Sequence, residues 1–212
     1  DRDGWWIGAE GFGCSLVDDD DDEALVEALH TQALQQLVWD LHFGVDPPDQ
    51  VSDLVGHIDD AVRARIGELA AGLPVDRVVA GHDLYPLSIV AYGRRSRRPI
   101  TIADRVAAYE ATAKDWHERY RRPFWVAETS NLGLDVDEGI GWLDSLVAGI
   151  DRLRGESLPA RGICWYSRGD QYDWDSALTE PVGRVTTVGL FDEHRVKRPV
   201  ADAFARLADE RR

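Results

Sequence analysis

No methionine occurs among the 212 residues. Lacking an initiating residue and opening abruptly on Asp1-Arg2-Asp3, the chain reads as processed or truncated. Cysteine is almost as scarce. Cys14 and Cys164 are too few for a disulfide framework, so buried thiols are expected. No run of about 18 apolar residues is present to span a membrane, and no signal-peptide pattern is recognisable. Basic charge is in short supply too. The 24 Lys and Arg against 39 Asp and Glu leave a net charge of −15, without the basic footprint that nucleic-acid binding needs. Neither nucleic acid nor a membrane is therefore expected as a partner. A lost N-terminus could have carried a signal, which leaves localisation open.

Two charge runs depart from the average. Arg94, Arg95, Arg97 and Arg98 form a short basic run, which reads as a solvated loop. Asp18 to Glu23 are six consecutive acids ahead of a helical pattern, and suit a solvated loop or a helix N-terminus, where the helix dipole favours anions. The acidic run lacks the spaced oxygen ligands and the glycine of a calcium loop. Tryptophan, by contrast, is plentiful at eight residues. Most of these belong in a core, but flat aromatic faces also pack against the C–H faces of sugars.

The elements alternate along the chain. Trp5–Glu10 is a short apolar run ending in a carboxylate, and reads as a strand. Glu23–Phe43 carries Leu25, Leu29, Ala33, Leu37 and Leu41 at four-residue spacing, an amphipathic helix that Gly44 and Pro47-Pro48 end. Val51–Ala71 reads as further helix, with Ile58, Val62 and Ile66 on one face. Arg77–Leu84 is a second strand. Ile102–Tyr120 is a helix with Val106, Tyr109, Ala113 and Trp116 on one stripe, and Thr101 or Asp104 can cap its start. After Arg122-Pro123, Phe124–Ala127 is a buried strand that runs into Glu128. Gly139–Leu153 is helix, Gly162–Tyr166 strand, and a long loop leads from there to about Leu190. Pro199–Glu210 is a closing helix. Strand and helix thus recur four times with no linker between them, so residues 1–212 read as a single α/β domain with a parallel sheet. The pattern alone leaves open whether the sheet is doubly wound or half of an eight-stranded barrel.

Polar groups collect where the strands end. Glu10 closes the first strand, His82, Asp83 and Tyr85 the second, Glu128 the third, Trp165 and Tyr166 the fourth. Barrel active sites lie at the carboxyl ends of the strands, and four consecutive strands ending this way are hard to explain as surface decoration. Glu128 is the sharpest of these groups. It follows an apolar strand directly and precedes Thr129-Ser130-Asn131, so it is partly buried and needs partners to stay ionised. The bland alternative is a salt-bridged or capping glutamate. His82, Asp83 and Glu128 together could also hold a metal ion in an unrelated α/β protein.

Five blocks, in order, resemble glycoside hydrolase family 1 and its clan A relatives. Phe124–Asn131 (FWVAETSN) is similar to the family's nucleophile strand, of the type Thr-Glu-Asn-Gly, with the Glu kept as Glu128. Asp76–Tyr85 resembles the preceding strand, of the type Asp-Phe-Leu-Gly-Ile-Asn-Tyr-Tyr. Gly81 and Tyr85 match it, and Asp83 stands where the family has Asn. Trp165–Trp174 (WYSRGDQYDW) is similar to Trp-Ser-Leu-Leu-Asp-Asn-Phe-Glu-Trp with one extra residue. Trp165, Asp170 and Trp174 match, Gln171 replaces Asn, and Asp173 replaces the sugar-binding Glu. Val188–Asp192 with Lys197-Arg198-Pro199, and Trp39-Asp40-Leu41 with Gly44, complete the series.

The resemblance implies a (β/α)₈ TIM-barrel-like fold of which this chain holds about four β/α units, strands five to eight. It implies retaining β-glycosidase chemistry of β-glucosidase type on a carbohydrate substrate, without cofactor or metal. Glu128 would be the nucleophile and Tyr85 its hydrogen-bond donor. Trp165, Asp170, Gln171, Asp173, Trp174, Asp83 and Glu10 would line the sugar site. Retaining enzymes need two carboxylates about 5–5.5 Å apart. In the family the acid/base is a Glu following Asn on the fourth strand, and no Asn-Glu pair occurs in this sequence. The fragment alone is thus expected to be inactive, unless Glu10 serves as acid/base. A half barrel also has two open edges, through which self-association is expected. The competing expectations are a non-catalytic carbohydrate-binding remnant of such a barrel and the unrelated metal-binding α/β protein.

Overall fold

The computed structural model describes residues 6–72, 77–174 and 178–211. Its elements run β1 (Trp6–Gly11), β2 (Cys14–Leu16), α1 (Asp22–Phe43), α2 (Asp49–Gly56), α3 (Asp60–Ala71), β3 (Val78–Asp83), β4 (Ile89–Ala91), α4 (Ile102–Tyr120), β5 (Phe124–Thr129), α5 (Gly139–Gly155), β6 (Ala160–Trp165), β7 (Gln171–Tyr172), β8 (Val185–Thr186) and α6 (Pro199–Asp209). Trp5 and Asp76, which the sequence places in strand blocks, lie outside the described residues. Four strands form one parallel sheet in the order β1-β3-β5-β6. That order decides between the two architectures that alternation left open. A doubly wound sheet reverses its strand order at a switch point. Here each unit adds its strand beside the last, and crossovers of one hand then stack every helix on the same face. The result is an α/β fold of four β/α units laid out as half of an eight-stranded barrel.

The core lies between the sheet and the helices. Ala80, Phe124, Val126 and Ala160 of the strands meet Val106, Tyr109, Ala113 and Trp116 of α4 and Trp142, Leu143, Leu146 and Ile150 of α5, all buried. α4 keeps the boundaries and the stripe that its sequence predicts. Its start is a reciprocal capping box, Thr101 Oγ1 accepting from Asp104 N and Thr101 N donating to Asp104 Oδ2. Gly81 answers a packing demand from the neighbouring strands, since a Cβ there would sit 2.6 Å from Ala127 Cβ and 2.7 Å from Gly8 O.

The first unit departs most from expectation. The segment read as one helix over Val51–Ala71 is two, α2 and α3. The break falls at His57–Asp59, where the Asp59 side chain accepts from Ala61 N at 2.8 Å and caps α3. Ile58 therefore lies outside both helices, and Val62 is exposed rather than part of a buried face. On α1 the buried positions are Ala24, Ala28, Ala33, Trp39 and Asp40, while Leu25 and Leu29 face outward. Small alanines let α1 approach closely, and this leaves the larger leucines on the far side. The loop after β6 also holds a short antiparallel pair, β7 with β8, that the sequence reading left as coil.

The two charge runs meet. Arg94 pairs with Asp20 and Asp21, Arg98 with Asp18, and Arg95 with Asp104. The basic run is thus docked on the start of α1, where the Asp21 side chain also accepts from Ala24 N. Gly93 makes the approach possible. Its φ is +53°, and a Cβ would lie 2.4 Å from Asp21 Oδ2. Mostly exposed pairs of this kind contribute little each. A firmer tie is Asp40, whose fully buried carboxylate accepts from Arg119 Nε and Tyr120 OH at 2.7 Å each. Among the described residues no helix is long and apolar enough to cross a membrane.

His82 belongs to the core and not to a metal site. Its ring stacks between Phe12 at 3.8 Å and Phe124 at 5.0 Å and meets the edge of Trp116 at 4.9 Å. Nδ1 lies 3.4 Å from Tyr109 OH. On a strand the next residue, Asp83, faces the other way, so the His82–Asp83–Glu128 metal set does not form. Among the described residues no group of three His, Cys, Asp or Glu side chains could hold a metal ion. Burial pushes the His82 pKa down to about 3 from an ordinary 6.5. Between these values the unfolded chain binds a proton that the folded chain excludes. Stability is therefore full above pH 6.5 and drains away as the pH falls toward 3, by on the order of 5 kcal/mol for a shift of this size. Denaturant titrations across that range are expected to show this slope in the wild type and a flatter one in His82→Phe. Equal slopes would contradict the assignment.

Candidate active site

The carboxyl ends of the four strands carry the polar groups. Glu128 is half-buried near the end of β5, and its backbone oxygen accepts from Leu84 N at 2.9 Å. This one bond locates its neighbours. Leu84 is fully buried, and residues on either side of a buried one in extended chain point the opposite way. Asp83 and Tyr85 therefore flank Leu84 on the face away from the helices. Asp83 is also the in-register partner of Glu128 across the β3–β5 ladder.

The turn after Glu128 is fixed from below. Thr129 Oγ1 accepts from the indole N–H of Trp142 on α5 at 3.0 Å, Ser130 Oγ accepts from Leu132 N at 3.2 Å, and Asn131 Nδ2 donates to Thr187 O at 3.1 Å. All three side chains are buried. Tyr166 N donates to Thr129 O at 2.7 Å, which continues the ladder past β6 and sets the following loop against the strand end. The polar turn is thus a rigid mount for Glu128.

Negative charge dominates the electrostatics. The Asp83 carboxyl is pushed up to about 6, first by burial, then by the charge of Glu128, then by that of Glu10. Its Oδ1 is buried without a hydrogen-bond partner. The Tyr85 hydroxyl is raised well above the usual phenol range by burial and by the neighbouring Glu128, with Asp83 and Tyr166 adding to the effect. It too is buried, and Glu128 is the charged group that acts on it most. The Cys164 thiol on β6 is exposed, against the expectation of buried thiols that Cys14 meets, and partial desolvation and Glu128 raise it. Glu10, Asp83, Tyr85, Glu128 and Cys164 thus act on one another across four strands. Above them the Trp174 ring lies 6.4 Å from that of Tyr85 and 5.4 Å from that of Tyr166, forming an aromatic wall.

Other residues expected to line a sugar site are engaged in building the loop. Trp165 is buried, and its indole N–H donates to Val188 O at 3.0 Å. The Asp170 side chain is fully buried, ion-paired through both oxygens with Arg198, and accepts from Gly189 N at 2.9 Å. Gln171 donates to Ser167 Oγ at 2.7 Å. Asp173, at φ 56°, accepts from Arg184 N at 2.8 Å and closes the β7–β8 pair. Tyr166, at the end of the fourth strand, acts on Tyr85 and packs against Trp174, and so joins the aromatic wall.

Asp170 and Arg198, 28 positions apart, strap the loop to the start of α6. Arg198→Met is expected to lower unfolding stability by about 3–5 kcal/mol, because it strands a buried carboxylate. Adding Asp170→Asn should return part of that loss. A double variant no more stable than Arg198→Met in chemical denaturation would rule out the pairing as the cause.

No protein-family model matches the sequence, and no curated protein matches it significantly. Solved structures do resemble it. A β-glucosidase from Exiguobacterium marinum superposes with a TM-score of 0.73 at 15% identity, covering 97% of this chain and 52% of that one. A β-glucosidase from Thermotoga maritima in complex with glucoimidazole gives 0.72 at 14% identity, over 96% and 50%. The same enzyme in complex with deoxynojirimycin gives 0.71 at 12%, over 96% and 50%. At such identities the likeness establishes the fold, a β-glucosidase-like barrel, and the chain spans about half the length of these structures.

Proposed function

We propose that this chain carries the nucleophile-bearing half of a retaining β-glycosidase, an O-glycosyl hydrolase of β-glucosidase type. The observation that supports this most is the setting of Glu128, a half-buried carboxylate at a strand end, flanked by Asp83 and Tyr85. It occupies the mouth of a fold whose likeness is to family 1 β-glucosidases. In this reading Glu128 attacks the anomeric carbon and forms a glycosyl ester while the leaving oxygen departs. Tyr85 steadies the carboxylate, and the Tyr166–Trp174 wall packs against the sugar ring. Glucoimidazole and deoxynojirimycin, bound by the Thermotoga enzyme, point to a carbohydrate ligand here as well.

The acid/base that the resemblance calls for has no counterpart in the sequence. The 212 residues alone are therefore expected to turn over little. Joined to the four-unit amino-terminal half of a family 1 barrel and treated with a 2-deoxy-2-fluoro glucoside, the chain should carry the sugar on Glu128 by mass spectrometry. Glu128→Gln, which keeps the shape and removes the attacking charge, should cut turnover by several orders of magnitude with sugar binding largely kept. An adduct on another residue would refute the nucleophile assignment. Sugar binding with neither adduct nor turnover would favour a carbohydrate-binding remnant. Brisk turnover by the 212 residues alone would make Glu10 the acid/base.

The apolar surface left uncovered supports association. Ile7 on the edge strand β1 is 65% exposed, and Val26 and Leu29 on α1 are exposed as well. On the far side, a groove of about 220 Å³ opens between α5, α6 and β6, with Phe204 partly buried along it. Open edges and apolar patches of this kind pair with other chains. Sedimentation of the 212-residue chain is expected to show oligomers, and a sharp monomer at all concentrations would contradict the open-edge reading.

A further inference from the structure

We propose that Asp83 keeps its proton in acid beside Glu128 and gives it up as the pH rises toward neutrality, so that the pair gains one negative charge across that range. The inference rests on the reading of Glu128 as the reactive carboxylate and gives that site a proton switch.

Three observations of geometry carry it. Asp83 and Glu128 are register partners on adjacent parallel strands. The ladder is irregular between His82 and Asp83, so the pair sits just past a bulge, on strand ends about 4.8 Å apart. The backbone bond from Leu84 N to Glu128 O holds the two strand ends at that spacing. Asp83 Oδ1 is buried and has no hydrogen-bond partner. A buried carboxylate oxygen without a donor is costly, whereas a protonated one needs only an acceptor, and the neighbouring carboxylate is an acceptor. Two carboxylates held this close cannot both ionise freely, and the proton stays on the one whose surroundings favour it.

The groups around Asp83 point the same way. Glu10 approaches from β1 and Glu128 from β5, both acidic. Tyr85, two residues on, Tyr166 beyond β6 and Cys164 on β6 complete the ring of titratable groups, and none of them bears positive charge. Burial and the two anions raise the Asp83 carboxyl to about 6, so its proton is held below that pH and lost above it. Asparagine has the shape of a protonated aspartate and keeps a donor at every pH. Asp83→Asn should therefore freeze the site in its protonated arrangement.

The test is a ¹³C NMR titration of the side-chain carboxyls of labelled protein from pH 4 to pH 8, independent of any turnover. One aspartate signal is expected to titrate near 6 and to disappear in Asp83→Asn. The Glu128 signal should show a second inflection at the same midpoint in the wild type and lose it in that variant. Glu128→Gln should move the Asp83 midpoint down, and Glu10→Gln should move it down by less. Should Asp83→Asn fail to fold, the midpoint in Glu128→Gln carries the test. An Asp83 signal titrating near 4, or one unmoved by Glu128→Gln, would overturn the pair. Binding of deoxynojirimycin, followed in the chain joined to the amino-terminal half of a family 1 barrel, separates the two claims. Coupled titration without iminosugar binding would defeat the glycosidase reading and leave the pair standing, and binding without coupling would do the reverse.

Discussion

Everything in this molecule follows from one constraint, that each new strand lies beside the one before it in the same direction. Crossovers of uniform hand then commit all the helices to one face. The helices leave the opposite face uncovered, and the strand ends become a common edge. Glu10, Asp83 and Glu128 are far apart in sequence, yet they act on one another because their strands stop at the same level. The core pays little attention to this edge. Its large residues, Trp116, Trp142 and Phe124, sit behind the sheet.

Positioning at the edge is done by backbone bonds and by polar side chains whose other faces are buried. Leu84 is a core residue, yet it aims both Asp83 and Tyr85 by being sandwiched between them and by bonding Glu128 O. Thr129, Ser130 and Asn131 are polar but buried, a costly choice unless each finds a partner, and each does. The Asp170–Arg198 strap likewise uses a buried charge pair to hold a loop that has little apolar surface of its own. Such pairs are weak sources of net stability, but they tolerate few alternative arrangements.

The fold was largely legible because its strongest signals are local. The stripe and capping box of α4 and the apolar run of β5 ending in Glu128 need no distant partner to be read. Sequence patterning was weaker in α1 to α3, where alanines are buried and leucines exposed, because residue size governs how closely a helix approaches and periodicity does not report it. At the site, the carboxylates and Tyr85 were readable from strand-end position. The roles of Trp165, Asp170 and Asp173 were not, since their partners Val188, Arg198 and Arg184 lie 11 to 28 residues away across a loop. The meeting of the acidic and basic runs was likewise invisible, because it joins segments more than 70 residues apart.

The sequential strand order also has a consequence for how the chain acquires its structure. Phe124 pairs with Ala160, 36 residues on, and Ala80 with Phe124, 44 residues on, but Trp6 must find Val78 across 72 residues. Doubling a loop adds only about 0.6 kcal/mol to its closure. The segment to be closed, however, is the one whose helices bury least, with Leu29, Val62 and Leu69 all turned outward. Local contacts favour fast closure, and β3, β5 and β6 with α4 and α5, the unit that holds Asp83 and Glu128, are joined by the shorter closures. Glu10, the third carboxylate crowding Asp83, is tied to that unit only through the longest closure in the sheet.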